Sequence, residues 1–345
     1  MSHITLFEPK SYGKLGNVWA SPINQAEIYS MIRRREFIAG IGAAAWPLAA
    51  RAQQGDRVRR VAMLTSAGTD MFKPAFQEEL AQLGWIEARN LHFDEIRVGF
   101  ANRGVYATEL MNLRPEVIIA VGGGNTLAVR EKTQTIPIVS IGAGDVFGRI
   151  VKNIARPEGN ITGVSSLFSS FGGKWLELLK EAVPRLERVA YIKAPPPFTD
   201  FFPSIAEAAQ VLAVQAIEIS YRNSVDIVRG VDAFAAAPNG GLIVPPASLV
   251  SNQETILTLA AEHRLPTVVG SPLREGALIG YGPNIGDLVR RGAVLVDRIL
   301  HGTEVSELPV EFPTKFELTV NLKTARMLGL EVPTPILLRA NEVID

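Results

Sequence analysis

Beyond residue 56 the chain alternates short apolar runs with stretches whose apolar residues recur every three or four positions. Val58 to Leu64 is the first such run and predicts a strand. Phe76, Leu80 and Leu83 recur at helical spacing within Phe72 to Leu83, and Gly84 follows where a helix commonly ends on glycine. Leu91 to Ile96 alternates and predicts a second strand, and Val105 to Leu113 a second helix. Val117-Ile118-Ile119-Ala120-Val121 is apolar without interruption, as in a strand covered on both faces. Gly122-Gly123-Gly124 then turns into a helix from about Asn125, and Ile136 to Ile141 predicts a fourth strand. A second set begins near Ile161. Helices are predicted over Trp175–Val183, Ile205–Leu212, Val225–Ala236, Gln253–His263 and Ile285–Leu300. Strands are predicted over Arg188–Ile192, Gln215–Ile219, Gly241–Val244, Thr267–Gly270 and Ala277–Gly280.

Strands alternating with helices imply parallel sheets covered on both faces. The strands are too many for one compact open sheet. The expected fold class is therefore α/β, with two doubly wound parallel-sheet lobes joined by a three-crossing hinge. The crossings are expected at Arg156–Asn160, at Ser271-Pro272 and within Thr303–Thr314. Lobe 1 then comprises residues 57–158 and 273–303, and lobe 2 residues 159–272 and 304–345. No internal repeat is visible.

The first 52 residues read differently. Arg33-Arg34-Arg35 precedes an apolar stretch from Phe37 to Ala50, and Ala50-Arg51-Ala52 forms a small-x-small site. These are the parts of a signal peptide. The apolar stretch is shorter than the roughly 20 residues of a spanning helix. Arg34-Arg35-Glu36-Phe37-Ile38 is similar to the twin-arginine export signal. Cleavage is expected after Ala52, giving a periplasmic protein, with residues 1–30 an untranslated extension upstream of a true start at Met31.

Composition narrows the function. Lys plus Arg and Asp plus Glu both number 35, so the chain has no net charge to attract nucleic acid. There is no cysteine, which removes disulfides, thiolate metal sites, a cysteine nucleophile and a lipid-modified N-terminal cysteine. The four histidines, His3, His92, His263 and His301, are scattered without metal-ligand spacing. No Gly-x-Ser-x-Gly elbow and no phosphate loop occur. No catalytic residue, metal or cofactor is expected.

Ligands in open parallel sheets sit outside the carboxyl ends of the strands. That rule selects Thr65 and Ser66 after the first strand, Gly124, Asn125 and Thr126 after the third, and Asp145 after the fourth. In the second half it selects Phe198, Ser248 and Tyr281, with Ser166 past the first expected crossing. Glycines allow close approach to the backbone, and Asn125 or Thr126 could cap a helix whose free N–H groups favour a carboxylate. The same segment also reads as a plain strand–helix turn. Asp145 could meet a ligand ammonium group or cap a helix. Tyr281 and Phe198 could wall an apolar ligand or pack in the protein.

Several segments carry a family likeness. They are Leu83-Gly84-Trp85, Asn160-Ile161-Thr162-Gly163-Val164 and Leu176-Glu177-Leu178-Leu179-Lys180. The closing run adds Pro313-Thr314-Lys315-Phe316-Glu317-Leu318, Val320-Asn321-Leu322-Lys323-Thr324-Ala325 and Leu328-Gly329-Leu330. On these the chain, from residue 33 to 345, resembles the ABC-transporter substrate-binding proteins of type I periplasmic-binding fold, which include tryptophan and other aromatic amino-acid binders. It departs from them at Lys193-Ala194-Pro195-Pro196-Pro197-Phe198, where an Asn-Pro-rich loop is common, and at Pro245-Pro246-Ala247-Ser248, where an acidic residue is common. The resemblance implies a monomeric solute-binding protein that closes on a small organic ligand, an amino acid or other small carboxylate. Its partner would be an ABC permease, without nucleic acid or lipid anchor. An exported sensor docking on a membrane kinase, or a hydrolase on the same fold, are the alternatives.

Peptide mapping of the protein from its native host is expected to find Gln53 as the mature N-terminus and no tryptic peptide from residues 1–30. Such a peptide would contradict the assigned start.

Overall fold

The computed structural model describes residues 57–66, 69–99, 102–166, 168–196, 198–272 and 276–345, and of Val250 and Ser251 only the backbone. The expected export signal and upstream extension lie outside the described residues. Those from Arg57 onward form one compact unit.

The first lobe is built on β1 (Arg59–Ser66), β2 (Leu91–Val98), β3 (Val117–Val121), β4 (Ile138–Ile141) and β5 (Ile161–Val164), all parallel, in the order β2-β1-β3-β4-β5. Its helices are α1 (Phe72–Gln82), α2 (Arg103–Asn112), α3 (Gly123–Arg130) and α4 (Val146–Ile150). The second lobe is built on β6 (Arg188–Lys193), β7 (Gln215–Ser220), β8 (Gly240–Val244), β9 (Thr267–Val269), β10 (Ile279–Pro283), β11 (Phe316–Asn321) and β12 (Glu342–Ile344). Their order is β12-β11-β10-β9-β8-β6-β7, and only the β10–β11 pair is antiparallel. Its helices are α5 (Phe171–Ala182), α6 (Phe202–Val211), α7 (Ser224–Ala235), α8 (Pro246–Glu262), α10 (Leu322–Met327) and α11 (Thr334–Arg339). The remaining helix, α9 (Ile285–Leu300), packs on the first sheet with α1.

Both lobes wind alike. Strands β1 to β5 and strands β6 to β10 each run second-first-third-fourth-fifth across their sheet. The duplication is architectural, and no repeat in the sequence announces it. Each sheet is covered on both faces, which is why β3 and β8 carry buried side chains at every position.

The chain crosses between lobes three times, at places that differ from those expected. Arg156–Asn160 lies within lobe 1, because β5 pairs with β4. The first crossing therefore follows β5, at about 165–170. Ser271-Pro272 joins β9 to β10 inside one sheet, because those strands pair with each other. The second crossing is at Asn284, between β10 and α9. The third is at Pro313–Lys315, at the end of the expected range, because Leu308 and Val310 are still packed in lobe 1. Thus β5 and residues 304–312 belong to lobe 1, and β10 to lobe 2. Alternating apolar runs identify strands but do not say which sheet receives an edge strand, and that caused the shift.

The crossings are tied together by rings and charges. Phe171 just after the first, Tyr281 just before the second and Phe316 just after the third form one aromatic cluster, with ring centroids 5.1–6.3 Å apart. Phe168 and Phe312 add a contact at 5.1 Å. Nearby, Asn284 Oδ1 accepts the Asp287 N–H at 2.6 Å and caps α9. The buried Asp287 carboxylate accepts from Arg291 Nε at 2.8 Å and pairs with Lys315 Nζ at 3.5 Å, while Arg291 also reaches Glu311 and Thr314. Burial alone would raise the Asp287 pKa, but the Arg291 and Lys315 cations outweigh it and hold the carboxyl below the usual range.

A carboxyl with a depressed folded pKa adds stability above its unfolded value of about 3.9, and that stability is lost as pH falls through the folded value. Asp287→Ala is expected to cost about 2 kcal/mol at pH 7, since it removes a charge-assisted acceptor from Arg291, which keeps Glu311, and the ion pair with exposed Lys315. The deficit against wild type should shrink below about pH 4. Denaturant melts at several pH values check this, and a deficit independent of pH would contradict it.

Candidate functional site

The point where strand order reverses leaves a crevice between diverging loops. In lobe 1 this lies between β1 and β3. Gly122 adopts φ 85°, ψ 152°, a left-handed conformation open to glycine, and swings the chain from β3 into α3. No side chain caps α3, so its first N–H groups face the crevice without a side-chain acceptor. Asn125, one turn in, is buried. Its Nδ2 donates to Val121 O at 2.8 Å and to Ser66 Oγ at 3.1 Å, and its Oδ1 accepts from Arg103 Nε at 3.1 Å.

Asn125 thus braces the end of β1 against α3, and the cap expected from Asn125 or Thr126 does not form. Thr126 turns inward instead, to Gly122 O and Ser140 Oγ. Thr65 is also buried and donates to Glu95 Oε1 at 2.9 Å. Of the expected lobe 1 residues, Ser66, Gly124 and Asn125 do come together. Arg103 joins them, with its guanidinium 3.0 Å from where a Cβ on Gly124 would stand. A side chain there would displace the arginine, so glycine at 124 is what lets a cation lie over the start of α3. Burial holds the Arg103 pKa below the ordinary arginine value. Arg103 opens the helix after β2 and belongs to no motif in the sequence, which is why the strand-end reading did not select it.

The β4–α4 loop faces the other lobe. Ser166 Oγ donates to Gly142 O at 3.1 Å and fixes this loop to the first crossing. The Asp145 N–H donates to Thr199 Oγ1 at 3.4 Å, and Asp145 Oδ2 accepts the Ser169 N–H at 3.2 Å. Asp145 therefore bonds across to the second lobe, where the sequence suggested a ligand ammonium. Phe198, beside Thr199, is half-buried in the β6–α6 loop.

The other two expected residues in lobe 2 serve its interior. Ser248 is fully buried, donates to Ile192 O at 2.9 Å and accepts from the Tyr221 hydroxyl at 3.3 Å. It bridges β6 and α8 at that lobe's own reversal point, much as Asn125 does in lobe 1. The Tyr281 ring belongs to the aromatic cluster at the crossings, and its carbonyl accepts from Trp175 Nε1 at 2.9 Å.

On the β1 side the lobes leave a pocket of about 770 Å³. Thr69, Met71 and Phe72 of the β1–α1 segment face Leu249 and Leu257 of α8 across it, with Asn284 at the second crossing. Gln253 and Leu257 are one helical turn apart and share a face of α8, and Leu249 joins them in lining the pocket from before the break at Asn252. None of the ten residues expected from the sequence lines this pocket. Its signal was the helical spacing along α8, which the sequence reading began only at Gln253.

Comparison with known proteins places this architecture. A family model described as ABC transporter substrate binding protein matches residues 60–344. The tyrosine-binding protein of Clostridioides difficile (strain R20291) is 22% identical over 270 residues, covering 76% of this chain and 77% of that protein. Among solved structures, an ABC domain in complex with L-Trp from Streptococcus pneumonia superposes with a TM-score of 0.74 at 17% identity, over 83% of this chain and 100% of that one. The ligand-free, open structure of a substrate binding protein with adhesive properties from Clostridium difficile gives 0.64 at 21% identity, over 84% and 99%.

Burial raises the Asp145 pKa more than the Ser169 N–H and Arg149 lower it. A carboxyl raised on folding weakens the folded state as pH climbs through its folded value, so the sign is opposite to that of Asp287. Asp145→Asn keeps an acceptor for Ser169 and removes the charge. Its melting midpoint relative to wild type is expected to improve from pH 4 to pH 7. A variant that falls further behind wild type over that range would contradict the assignment.

Proposed function

The chain belongs to the family of ABC transporter substrate binding proteins, and from that premise we propose that it is an exported receptor that closes its lobes on an amino acid or other small carboxylate. The arrangement that carries the reading is the lobe 1 crevice, where uncapped N–H groups of α3 and the Arg103 guanidinium converge beside an interlobe pocket. Backbone N–H groups at a helix start together with a guanidinium suit a carboxylate. The volume of the neighbouring pocket is in the range used by small-molecule sites, about 300–1,000 Å³, and its apolar side chains suit an apolar side group. A tyrosine-binding protein and an L-Trp-bound domain among the similar proteins support an aromatic amino acid.

In this reading the ligand bridges the lobes and closure follows from its greater affinity for the closed form. The Asp145 contacts to Thr199 and Ser169 stand at one side of the cleft as part of the closed interface. The partner is an ABC permease that receives the ligand, and the Arg34-Arg35 leader directs export to the periplasm.

Thermal unfolding of residues 53–345 against amino acids, aromatic acids, small carboxylates and sugars tests the proposal. L-Tyrosine or L-tryptophan is expected to raise the midpoint in a dose-dependent manner, by about 2.7 kcal/mol of stability at a hundred times its Kd. Arg103→Met should weaken that ligand by about tenfold or more. A midpoint unmoved by every compound would contradict the receptor reading.

A further inference from the structure

The interlobe pocket differs in character from the crevice beside it. Met71, Phe72, Leu249, Leu257 and Val269 give it apolar walls. Among its described lining residues the charged groups are the exposed Glu254 on α8 and the half-buried Glu317 on β11, and none is Lys, Arg or His. Glu317 Oε1 accepts from Asn284 Nδ2, a hydrogen bond that fixes this carboxylate at the second crossing. Gln253 stands next to Glu254 on the same helix, one residue past a break at Asn252, where φ is −136° and ψ 18°.

A ligand that fills this space lines apolar surface against the walls and removes water from both carboxylates. Dehydrating a carboxylate is unfavourable unless a cation or donor replaces the water. A neutral apolar ligand would incur that cost at two sites, and an anionic one would add repulsion. A ligand with an apolar body and a positively charged end meets both features of the pocket at once. The group that sequence reasoning offered for this role, Asp145, already accepts from Ser169 and lies at the β4 side of the cleft.

We propose that the pocket selects ligands that carry an amine on an apolar body, with Glu254 and Glu317 reading the amine. This rests on the cleft being the ligand site and adds which chemical end faces lobe 2. It divides recognition in two, with cationic Arg103 and the start of α3 in the crevice and two carboxylates in the pocket.

The test compares wild type with Glu254→Gln, Glu317→Gln and the double variant by calorimetric titration, after thermal melts establish that each folds. The probes are L-tryptophan, tryptamine, which lacks the carboxylate, and indole-3-propionate, which lacks the amine. Tryptamine is expected to bind wild type and to lose about tenfold or more in the double variant, while indole-3-propionate is unchanged or tighter. Equal tryptamine affinity in wild type and double variant overturns the inference. So does a wild type that binds L-tryptophan but not tryptamine, and that result leaves the receptor reading intact. Binding of only simple carboxylates in the thermal panel also overturns this inference alone, whereas binding of only sugars, or no binding by any compound, overturns both.

Discussion

The two lobes are joined by three strands of chain, and what those strands do depends on how they are held to one another. Phe171, Tyr281 and Phe316 each stand beside a different crossing, and their rings meet in one cluster. Asp287 binds the second crossing to the third through Arg291 and Lys315. Asn284 and Lys315 are also joined directly, N–H to carbonyl, at 3.0 Å. The three crossings thus form one clasped segment. Such a segment suits the proposed closure, because rotation is then confined to a few backbone torsions instead of being spread through independent linkers.

The clasp also gives the cleft two unequal sides. Where β4 faces β6, Asp145 already touches Ser169 and Thr199. Two strands away in the first sheet, where β1 faces α8, the lobes stand apart around the 770 Å³ pocket. The two reversal points are braced from within by short hydrogen bonds, Asn125 to Val121 in lobe 1 and Ser248 to Ile192 in lobe 2. The polar residues nearest the cleft floor therefore hold the loops in place. In the proposed reading, contact with a ligand falls to the backbone N–H groups of α3, to Arg103, to Glu317 and to side chains of α8.

The sequence made the α/β class and the two lobes legible, because unbroken runs such as Val117–Val121 are what doubly covered parallel strands require. It placed α9 at Ile285–Leu300, where one apolar stripe runs the whole helix. It was less informative where tertiary pairing decides. No pattern in Ile161–Val164 says that it joins β4, and no pattern in Ile279–Pro283 says that it joins β9. Elements after residue 303 were not read at all: β12 has three residues and α10 and α11 six each, while β11, with six, is as long as β6. The strand-end rule led to loops that border the cleft, but polar residues such as Thr65, Thr126 and Ser248 proved to face inward. A loop position alone does not reveal whether a hydroxyl answers to solvent or to a neighbouring carbonyl.

The central claim is that a ligand draws the two lobes together about the clasped crossings. The chain contains no cysteine, so paired spin labels can be placed without removing any residue. Exposed Lys132 in lobe 1 and Val225 in lobe 2 are suitable sites. The interlobe distance distribution of the doubly labelled protein would be measured with and without saturating L-tryptophan or L-tyrosine. A shorter and narrower distribution is expected with ligand. A distribution unchanged while the same ligand raises the melting midpoint would contradict it.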